Sequence, residues 1–295
     1  MDNLRIVLPK GHLQERIVKL LERLGMSFYF ANGSYRPRCN VNGIAAKLLK
    51  PQNIPGLVSL GRHDCGFTGY DWIEEEGADV VQLLDLRFDP VRIVVAGPEG
   101  IDLAAIARTR PLIVASEYER LTRRYIASRG LNAVFVRSFG ATEVLPPEDA
   151  DLIVDNTASG ETLTSHRLAV IDVLLTSSTR FIANRRALED SEKGRRIREL
   201  QMLIESALRA RERVLLEMNV PGDRFEDLVR WLPAMQAPTV SALHGGQGYA
   251  IKIAVPTNDV PTLIPRLVAA GARDILEYQL EKIVLSPEPV AEEVL

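Results

Sequence analysis

The amino-acid sequence predicts an α/β protein with two lobes and a smaller C-terminal domain. Short apolar segments that suit buried strands alternate with amphipathic segments at helical spacing, and this alternation restarts near residue 98. Such alternation favours parallel sheets that helices cover on both faces. At 295 residues the chain is long enough for two or three compact units. A change of pattern near residue 214 marks the start of the last unit.

The first lobe begins with an apolar strand at 4–8 that runs into a turn at Lys10 and Gly11. Apolar residues then recur at helical spacing up to Gly25, which suits a helix C-cap. Further strands are expected at 27–31, 43–48, 64–67, 80–84 and 91–96, and short helices at 54–60 and 70–76. We therefore expect residues 1–96 to form the first lobe.

The second lobe repeats this pattern from about residue 97. Strands are expected at 112–115, 133–136, 152–154 and 170–175, with helices at 117–128 and from Gly160 to Leu168. A strand at 180–183 and a long charged helix at 186–213 follow. We therefore expect a second lobe at 97–175 and a segment at 176–213 that returns the chain to the first lobe.

The C-terminal part has a different order of segments. Strands are expected at 214–218, 239–243, 249–255 and 275–284, and helices at 225–232 and 260–270. The resulting order, βαββαβ, is that of a ferredoxin-like domain. The glycine-rich segment His244–Gly248 suits the hairpin turn between its two middle strands. Residues 214–295 are therefore expected to form this domain.

The composition excludes several classes of function. A net charge of −3 gives no electrostatic reason to expect binding to nucleic acid or to an anionic membrane. Cys39 and Cys65 form no CxxC pair, and the four histidines lack the spacing of metal ligands, so no disulfide scaffold and no protein metal site are expected. The chain has no apolar run of transmembrane length and no apolar signal region, so a cytoplasmic protein is expected.

One segment combines the features of an anion-binding turn: DLIVDNTASGETL at 151–163. A buried strand ends at Asp155, at the edge where open α/β sheets place their ligands. Hydroxyl side chains that can donate to phosphate oxygens follow, and Gly160 allows the backbone to approach a ligand closely. These residues alone fit an ordinary strand-to-helix turn with a hydroxyl cap equally well.

Several motifs occur together in one order. They are LRIVLPKGHL at 4–13, KPQNIPGLVSLGRHDCGFTGYDW at 50–72, GATEV at 140–144, DLIVDNTASGETL at 151–163, PTVSAL at 238–243 and LVAAGARDILEYQLEKIV at 267–284. In this combination the chain resembles the long form of ATP phosphoribosyltransferase, the family of the first enzyme of histidine biosynthesis. The resemblance implies two α/β lobes similar to periplasmic binding proteins, an active site in the cleft between them, and a ferredoxin-like (ACT-like) regulatory domain.

The resemblance also implies an activity. Such an enzyme transfers the 5-phosphoribosyl group of phosphoribosyl pyrophosphate to N1 of the adenine of ATP and releases pyrophosphate, with Mg²⁺ as cofactor. It would act as a homo-oligomer, a hexamer or else a dimer, and histidine and AMP would inhibit it.

The motifs carry the site residues that the resemblance implies. The catalytic set is Lys10, Asp64, Glu143 and Asp155. The substrate-binding set is Gly11, His12, Gly69, Thr157, Ala158, Ser159, Gly160, Glu161, Thr162 and Leu163. Thr239 and Ser241 are the expected regulatory contacts, and no residue is assigned as a metal ligand. A solvated turn lysine at Lys10 and simple capping roles for Asp64 and Glu143 are the alternatives.

Four positions depart from the family pattern. His12 and Lys50 stand where the family usually has arginine, Asn53 stands where it usually has aspartate, and Glu161 stands where it usually has a neutral residue. A carboxylate beside a bound phosphate is repulsive, so Glu161 is expected to point outward, to pair with a cation such as Arg167, or to help bind Mg²⁺. These departures leave two alternatives open: a relative that uses another nucleotide or acceptor, and a non-catalytic ligand-binding protein on the same scaffold.

Overall fold

The computed structural model describes residues 3–31, 33–235 and 237–285. Its strands are β1 (Leu4–Pro9), β2 (Phe28–Tyr29), β3 (Arg38–Cys39), β4 (Ile44–Leu49), β5 (Cys65–Gly69), β6 (Val81–Asp85), β7 (Val91–Pro98), β8 (Leu112–Ser116), β9 (Ala133–Arg137), β10 (Leu152–Thr157), β11 (Leu168–Ser177), β12 (Thr179–Ala183), β13 (Arg213–Pro221), β14 (Thr239–Ala242), β15 (Gly248–Pro256) and β16 (Arg273–Gln279). Its α-helices are α1 (His12–Arg23), α2 (Ile54–Ser59), α3 (Tyr70–Glu76), α4 (Leu103–Thr109), α5 (Glu119–Ser128), α6 (Glu161–Ser165), α7 (Arg185–Glu189), α8 (Ser191–Arg211), α9 (Gly222–Val229) and α10 (Val260–Ala269).

The described residues form two compact units. Residues 3–22 and 26–198 make up the first unit, and residues 23–25 and 199–285 make up the second. None of the helices in the described residues is both long enough and apolar enough to cross a membrane.

The first lobe is built on a five-stranded sheet with the order β4-β1-β5-β12-β6. Strand β1 runs parallel to β4 and β5, whereas β12 runs antiparallel to both of its neighbours, β5 and β6. The sheet is therefore mixed, although the sequence pattern favoured parallel sheets. Strand β12 enters this sheet directly from β11 of the second lobe at Ser178, and not through a crossover helix from a neighbouring strand.

The second lobe has its own five-stranded sheet, with the order β11-β7-β10-β8-β9. Strand β7 pairs antiparallel with β10 and β11, so 91–98 belong to this sheet rather than to the first lobe. The boundary expected after residue 96 therefore moves to the turn between β6 and β7. Arg87 and Asp89 have positive φ values of 54° and 46° there, and Pro90 follows, so this segment cannot continue a strand.

The second-lobe sheet is buried on both faces. Val95 and Val154 pack into one apolar cluster, and Val94 and Ile153 pack into another on the opposite face. Adjacent residues of a strand point to opposite faces, so a sheet covered on both sides requires a continuous apolar run. That requirement explains the sequences IVVA at 93–96 and LIV at 152–154.

The second unit contains a four-stranded antiparallel sheet with the order β14-β15-β13-β16. This is the strand order of the ferredoxin-like arrangement, as the sequence predicted. Alternate residues of the central strands, among them Leu216 and Ile253, pack with Leu263 and Leu267 of α10 in one apolar core. Strand β14 lies at one edge of the sheet, and all four of its residues are exposed.

The long charged helix expected at 186–213 is interrupted at Asp190. This residue has extended dihedral angles (φ −65°, ψ 132°), and its Oδ1 accepts hydrogen bonds from the N–H groups of Glu192 and Lys193. Asp190 therefore ends α7 and caps α8. Helix α4 was not predicted from the sequence. Its start is capped by Asp102, whose side chain accepts a hydrogen bond from the Ala105 N–H at 2.9 Å.

Asp64 is a structural anchor of the first lobe. It precedes β5 and pairs with Arg5 near the start of β1, with 2.6 Å between Arg5 Nη2 and Asp64 Oδ1. The Arg5 backbone N–H donates to Oδ2 at 2.8 Å, and Lys193 Nζ lies 3.3 Å from Oδ1. Burial opposes the charged form, but the hydrogen bonds from Arg5 and the charges of Arg5 and Lys193 outweigh it and lower the pKa of Asp64.

We expect Asp64→Asn to lower the free energy of unfolding of the first unit at pH 7 by about 2 kcal/mol. Removing one partner of a buried ion pair costs more, about 3–5 kcal/mol, but Arg5 is 41% exposed and retains water. Because the pKa is lowered by folding, the carboxylate stabilises the protein above about pH 4 and this stabilisation is lost as pH falls through the folded-state pKa. The difference between variant and parent should therefore shrink in acid.

The measurement is urea unfolding followed by Trp72 fluorescence in a Trp231→Phe background. Asp79→Asn, which breaks an exposed pair with Arg185, is the control and should change stability by less than about 0.5 kcal/mol. A purely catalytic Asp64 would instead leave stability unchanged and abolish activity.

Candidate active site

The segment at 151–163 forms the predicted strand, loop and helix. Strand β10 ends at Thr157, a short loop follows, and α6 begins at Glu161. Gly160 has φ 89°, in the left-handed region that residues with a side chain rarely adopt, although the space around it would admit a Cβ. The hydroxyl of Ser159 accepts a hydrogen bond from the Glu161 N–H at 3.4 Å, which closes the turn.

This loop forms one wall of a cavity of about 390 Å³, which we call the loop cavity. Its lining residues are Glu117, Gly140, Ala141, Thr142, Glu143, Asp155, Asn156, Thr157, Ala158, Ser159, Gly160, Thr162 and Leu163. The structure therefore brings Glu143 together with seven of the predicted residues of the loop, from Asp155 to Leu163. Only Glu161 of that segment is absent from the lining, and its side chain is exposed, so the expectation that it points outward agrees with the structure.

The opposite wall is the turn that carries Glu143. Ala141 has φ 48°, which is unusual for a residue with a side chain, and the hydroxyls of Ser138 and Thr142 lie 2.7 Å apart in a hydrogen bond. Such a backbone conformation costs about 1 kcal/mol or more and is common beside functional sites. The turn thus holds Glu143 facing the loop across the cavity.

Three carboxylates line the loop cavity, and sequence reasoning missed one of them. Glu117 directly follows β8, and Asp155 lies near the carboxyl end of β10, the parallel neighbour of β8. Because the carboxyl ends of parallel strands meet at one sheet edge, an acidic residue after the predicted strand 112–115 was the available signal.

The clustering of negative charge changes the acidity of Asp155. Burial, followed by the charges of Glu143 and Glu117, raises the pKa of Asp155 to about 6, although a hydrogen bond from the Asn156 N–H opposes the shift. The cavity therefore favours a cationic or proton-donating group beside Asp155. Perturbed acids in a concave site are a common mark of function.

A second cavity, of about 360 Å³, lies between the two lobes, and we call it the interlobe cavity. The first lobe contributes Lys50, Gln52, Asn53, Trp72, Glu75 and Glu76, and the second contributes Glu117, Arg137, Ser138 and Phe139. Glu117 lines both cavities, so they are neighbours. The interlobe cavity lies where parallel strands end, since β4 ends at Leu49 and β9 ends at Arg137.

Buried contacts fix the two lobes around this cavity. The phenol of Tyr118 in the second lobe donates to Asp71 of the first at 2.9 Å, and the Trp72 and Tyr118 rings stack at 4.6 Å between centroids. Ser177 donates to the same carboxylate at 2.6 Å. Glu75 accepts hydrogen bonds from the first backbone N–H groups of α5, at 2.9 and 3.0 Å.

The predicted residues of the first turn lie outside both cavities. Lys10 and Gly11 line a separate groove against α1, where Lys10 Nζ lies 2.9 Å from the Tyr35 hydroxyl. His12 is exposed, with Nε2 3.2 Å from Asp89. Even so, Lys10 is close to Lys50, because its N–H donates to Leu49 O at 2.7 Å.

Two other predicted positions have structural explanations. Gly69 is buried at the end of β5, and a Cβ there would lie only 2.1 Å from Asp71 Oδ1, so only glycine fits. Asp64 lies at the opposite, amino-terminal edge of the first-lobe sheet, away from both cavities. Arg5 and Lys193 engage its carboxylate, which gives Asp64 a structural role, and its catalytic role stays a prediction.

The expected regulatory residues lie on the edge strand β14. Thr239 pairs with Lys252 and Ser241 with Ala250 of β15, and both hydroxyl residues are exposed. Their neighbour Val240 pairs instead with Ile251, which belongs to the apolar core. Thr239 and Ser241 therefore occupy the face of the sheet opposite that core.

Comparison with known proteins identifies the family. The family model described as "HisG: ATP phosphoribosyltransferase" matches residues 50–206, and that of the HisG C-terminal domain matches 210–282. Over 286 residues the chain is 38% identical to an ATP phosphoribosyltransferase of Thermodesulfovibrio yellowstonii, covering 95% of this chain and 98% of that protein. A second, from Desulforudis audaxviator, is 40% identical over 286 residues, covering 95% and 99%.

A solved structure agrees with these sequences. The "ATP phosphoribosyl transferase (HisG:HisZ) complex from Thermotoga maritima" superposes with a TM-score of 0.61 at 26% identity, over 68% of this chain and 98% of that chain. The chain therefore belongs to the ATP phosphoribosyltransferase family, whose members attach the phosphoribosyl group to ATP in the first step of histidine biosynthesis.

Proposed function

We propose that the loop cavity binds phosphoribosyl pyrophosphate, with its 5′-phosphate against the segment from Thr157 to Thr162. The observation that carries this proposal is the cavity itself, which is lined by three hydroxyl side chains of the loop, by Gly160 and by three carboxylates. Hydroxyls and free loop N–H groups suit phosphate, and Asp155 suits the ribose hydroxyls because a carboxylate accepts their hydrogen bonds.

In the same proposal, ATP occupies the interlobe cavity next to the phosphoribosyl pyrophosphate. Trp72 and Phe139 supply aromatic surface for the base, and Lys50 and Arg137 supply positive charge. Lys10 lies next to Lys50 at the same sheet edge, which supports its proposed role as a phosphate contact. Gly11 precedes α1 and His12 begins it. His12 would supply a weaker anion contact than arginine.

The reaction then needs alignment more than acid–base chemistry. The lone pair of adenine N1 forms the new bond to ribose C1′ as the bond from C1′ to the pyrophosphate oxygen breaks, and that oxygen takes the electron pair. Positive charge develops on the ribose, and the carboxylates Asp155 and Glu143 stabilise it at close range. Holding two large substrates in line supplies much of the remaining acceleration.

Magnesium fits this site only as a partner of the substrate. Within the described ranges, no group of three or more His, Cys, Asp and Glu side chains is arranged to hold a metal ion. Mg²⁺ usually takes one or two carboxylates together with substrate phosphates and water, and Asp155 and Glu143 can provide these contacts. When bound, the ion would neutralise charge on the departing pyrophosphate.

Regulation and assembly are part of the same proposal. The exposed hydroxyls of Thr239 and Ser241 support an effector site for histidine on the second unit. AMP, which shares the adenosine part of ATP, would inhibit by occupying the interlobe cavity. We also propose a homo-oligomer, hexameric or dimeric, that works in the cytoplasm.

One assay separates this function from its alternatives. Protein, ATP, phosphoribosyl pyrophosphate and Mg²⁺ are mixed, and pyrophosphate is measured together with the ultraviolet absorbance of the adduct. Pyrophosphate release that requires ATP supports the proposal. Release only with another acceptor would show a divergent relative, and saturable ligand binding without turnover would show a non-catalytic binding protein.

We expect Thr162→Val to raise KM for phosphoribosyl pyrophosphate about tenfold, with little change in kcat, because one hydrogen bond to phosphate is lost and the side-chain shape is kept. Steady-state kinetics at saturating ATP measure this. Thr164→Val is the matched control, since its hydroxyl bonds to Gly160 O at 3.1 Å and does not line the cavity. Equal KM values for the Thr162 variant and the parent would place the phosphate elsewhere.

Asp155→Asn should stabilise the protein at pH 7 while reducing kcat/KM at least a hundredfold. Folding raises the pKa of Asp155 to about 6, so the neutral acid stabilises the fold below about pH 4 and this contribution is lost as pH rises through 6. The asparagine avoids that loss, which we put at about 2 kcal/mol after a discount for partial exposure.

Thermal unfolding between pH 4 and pH 8 provides the measurement, and the advantage of Asp155→Asn should disappear near pH 4. The exposed Asp149, altered to asparagine, is the control in the same lobe. A variant that is less stable than the parent at pH 7 would contradict the proposed charge cluster.

Ser241→Ala together with Thr239→Val should weaken inhibition by histidine at least tenfold and leave uninhibited kcat unchanged, because both hydroxyls lie in the second unit. The measurement is the histidine concentration that halves activity. Thr262→Val, which removes another exposed hydroxyl of the same unit, should have no effect. Unaltered inhibition in the double variant would mean that histidine binds elsewhere.

A further inference from the structure

A residue that lines the interlobe cavity carries a buried amide oxygen without a partner. Gln52 occupies the short 3-10 helix Pro51–Asn53 that follows β4, and its side chain lines the cavity. Its Oε1 atom is inaccessible to solvent and has no hydrogen-bond partner among the described residues. A buried acceptor that stays unpaired costs stability, so such an atom is commonly reserved for a ligand.

The same cavity offers surfaces for a flat ring. One face of Trp72 is stacked on Tyr118, which fixes the orientation of the indole. Phe139 also lines the cavity and is 89% exposed, a large apolar surface left to solvent. Aromatic walls with a small number of polar groups are the pattern of a site that stacks a heteroaromatic base and recognises one of its edges.

The charges around the cavity favour a ligand edge that donates. Glu75, Glu76 and Glu117 line it with carboxylates, and Arg137 is already paired with Glu119 at 2.6 Å. Glu75 is engaged by the N–H groups at the start of α5. Lys50 also lines the cavity, but the unpaired Gln52 Oε1 is an acceptor, so an amino group matches it and a carbonyl oxygen does not.

We propose that Gln52 selects the base of the acceptor nucleotide by accepting a hydrogen bond from the 6-amino group of adenine. This inference rests on the proposed placement of ATP in the interlobe cavity. Amide side chains recognise adenine at its N6 and N7 atoms, accepting from N6 and donating to N7. That edge is distinct from N1, so the attacking lone pair stays free for ribose C1′.

Recognition of adenine through N6 rather than through N1 affects the reaction itself. A residue that bound the N1 atom would hold the nucleophile in a hydrogen bond and slow the transfer. Recognition through N6 identifies the base and also sets the direction in which N1 points. Gln52 is thus a specificity residue for the acceptor, separate from the carboxylates that face the ribose.

The test compares ATP with purine riboside triphosphate, which keeps N1 and lacks the 6-amino group, in the parent and in Gln52→Met. Methionine preserves length and volume without an acceptor. We expect the parent to prefer ATP over purine riboside triphosphate in both kcat/KM and Kd. In Gln52→Met this preference should fall at least tenfold, because kcat/KM and affinity decrease for ATP and stay unchanged for the analogue. The intrinsic difference in N1 basicity affects both proteins equally and cancels in the ratio.

Gln52→Glu keeps an acceptor at the same place and should retain the preference, whereas Gln82→Met changes an exposed glutamine of β6 and should match the parent. An unchanged preference in Gln52→Met, or an equal loss with both nucleotides, would overturn the inference. Calorimetric measurement of nucleotide binding without phosphoribosyl pyrophosphate separates the inference about Gln52 from the proposed function. If the parent binds ATP without turnover, the proposed donor site is wrong, and the change in nucleotide preference still decides the role of Gln52.

Discussion

The site depends on the buried hydrogen bond between Tyr118 and Asp71. It joins the lobes at the point where Ser177 brings the chain back from the second lobe, and stacking of Trp72 on the same tyrosine covers it. Burial, then the adjacent Asp71 carboxylate, raises the pKa of Tyr118, so the phenol keeps its proton and remains a donor at any physiological pH. With this link in place, strand ends from two separate sheets line a single cavity.

Both substrates are polyanions, yet the cavities that we assign to them carry several carboxylates. In our proposal the two requirements are separated. Phosphate groups would meet hydroxyls, loop N–H groups and lysines, while Asp155, Glu143 and Glu117 would surround the place where a sugar becomes electron-poor. The fold stability lost by crowding these acids is a common feature of active sites, where function and stability compete. On this proposal the site would depend on cations that arrive with the substrates.

The sequence predicted the features that contiguous residues determine, and it failed for features that depend on residues distant in the chain. The loop at 151–163 was recognisable because its strand, hydroxyls and Gly160 are contiguous. The ion pairs of Asp64 could not be predicted from local pattern, because its partners, Arg5 and Lys193, are 59 and 129 residues away. Strand β7 reads like any apolar strand, and only its pairing with β10 and β11 assigns it to the second lobe. Gln52 looked unremarkable in the sequence because burial, rather than residue type, makes its oxygen significant.

The position of β12 has a consequence for how the protein is made. This strand is inserted between β5 and β6, and β6 has no other neighbour in its sheet. On the ribosome, residues 1–98 emerge with a gap in their sheet that only residues 179–183 can fill, after the whole second lobe has been synthesised. Closing so long a loop is entropically costly and slow. The first lobe to be synthesised is therefore the last to be completed, and its open strand edges must stay protected from other chains until then.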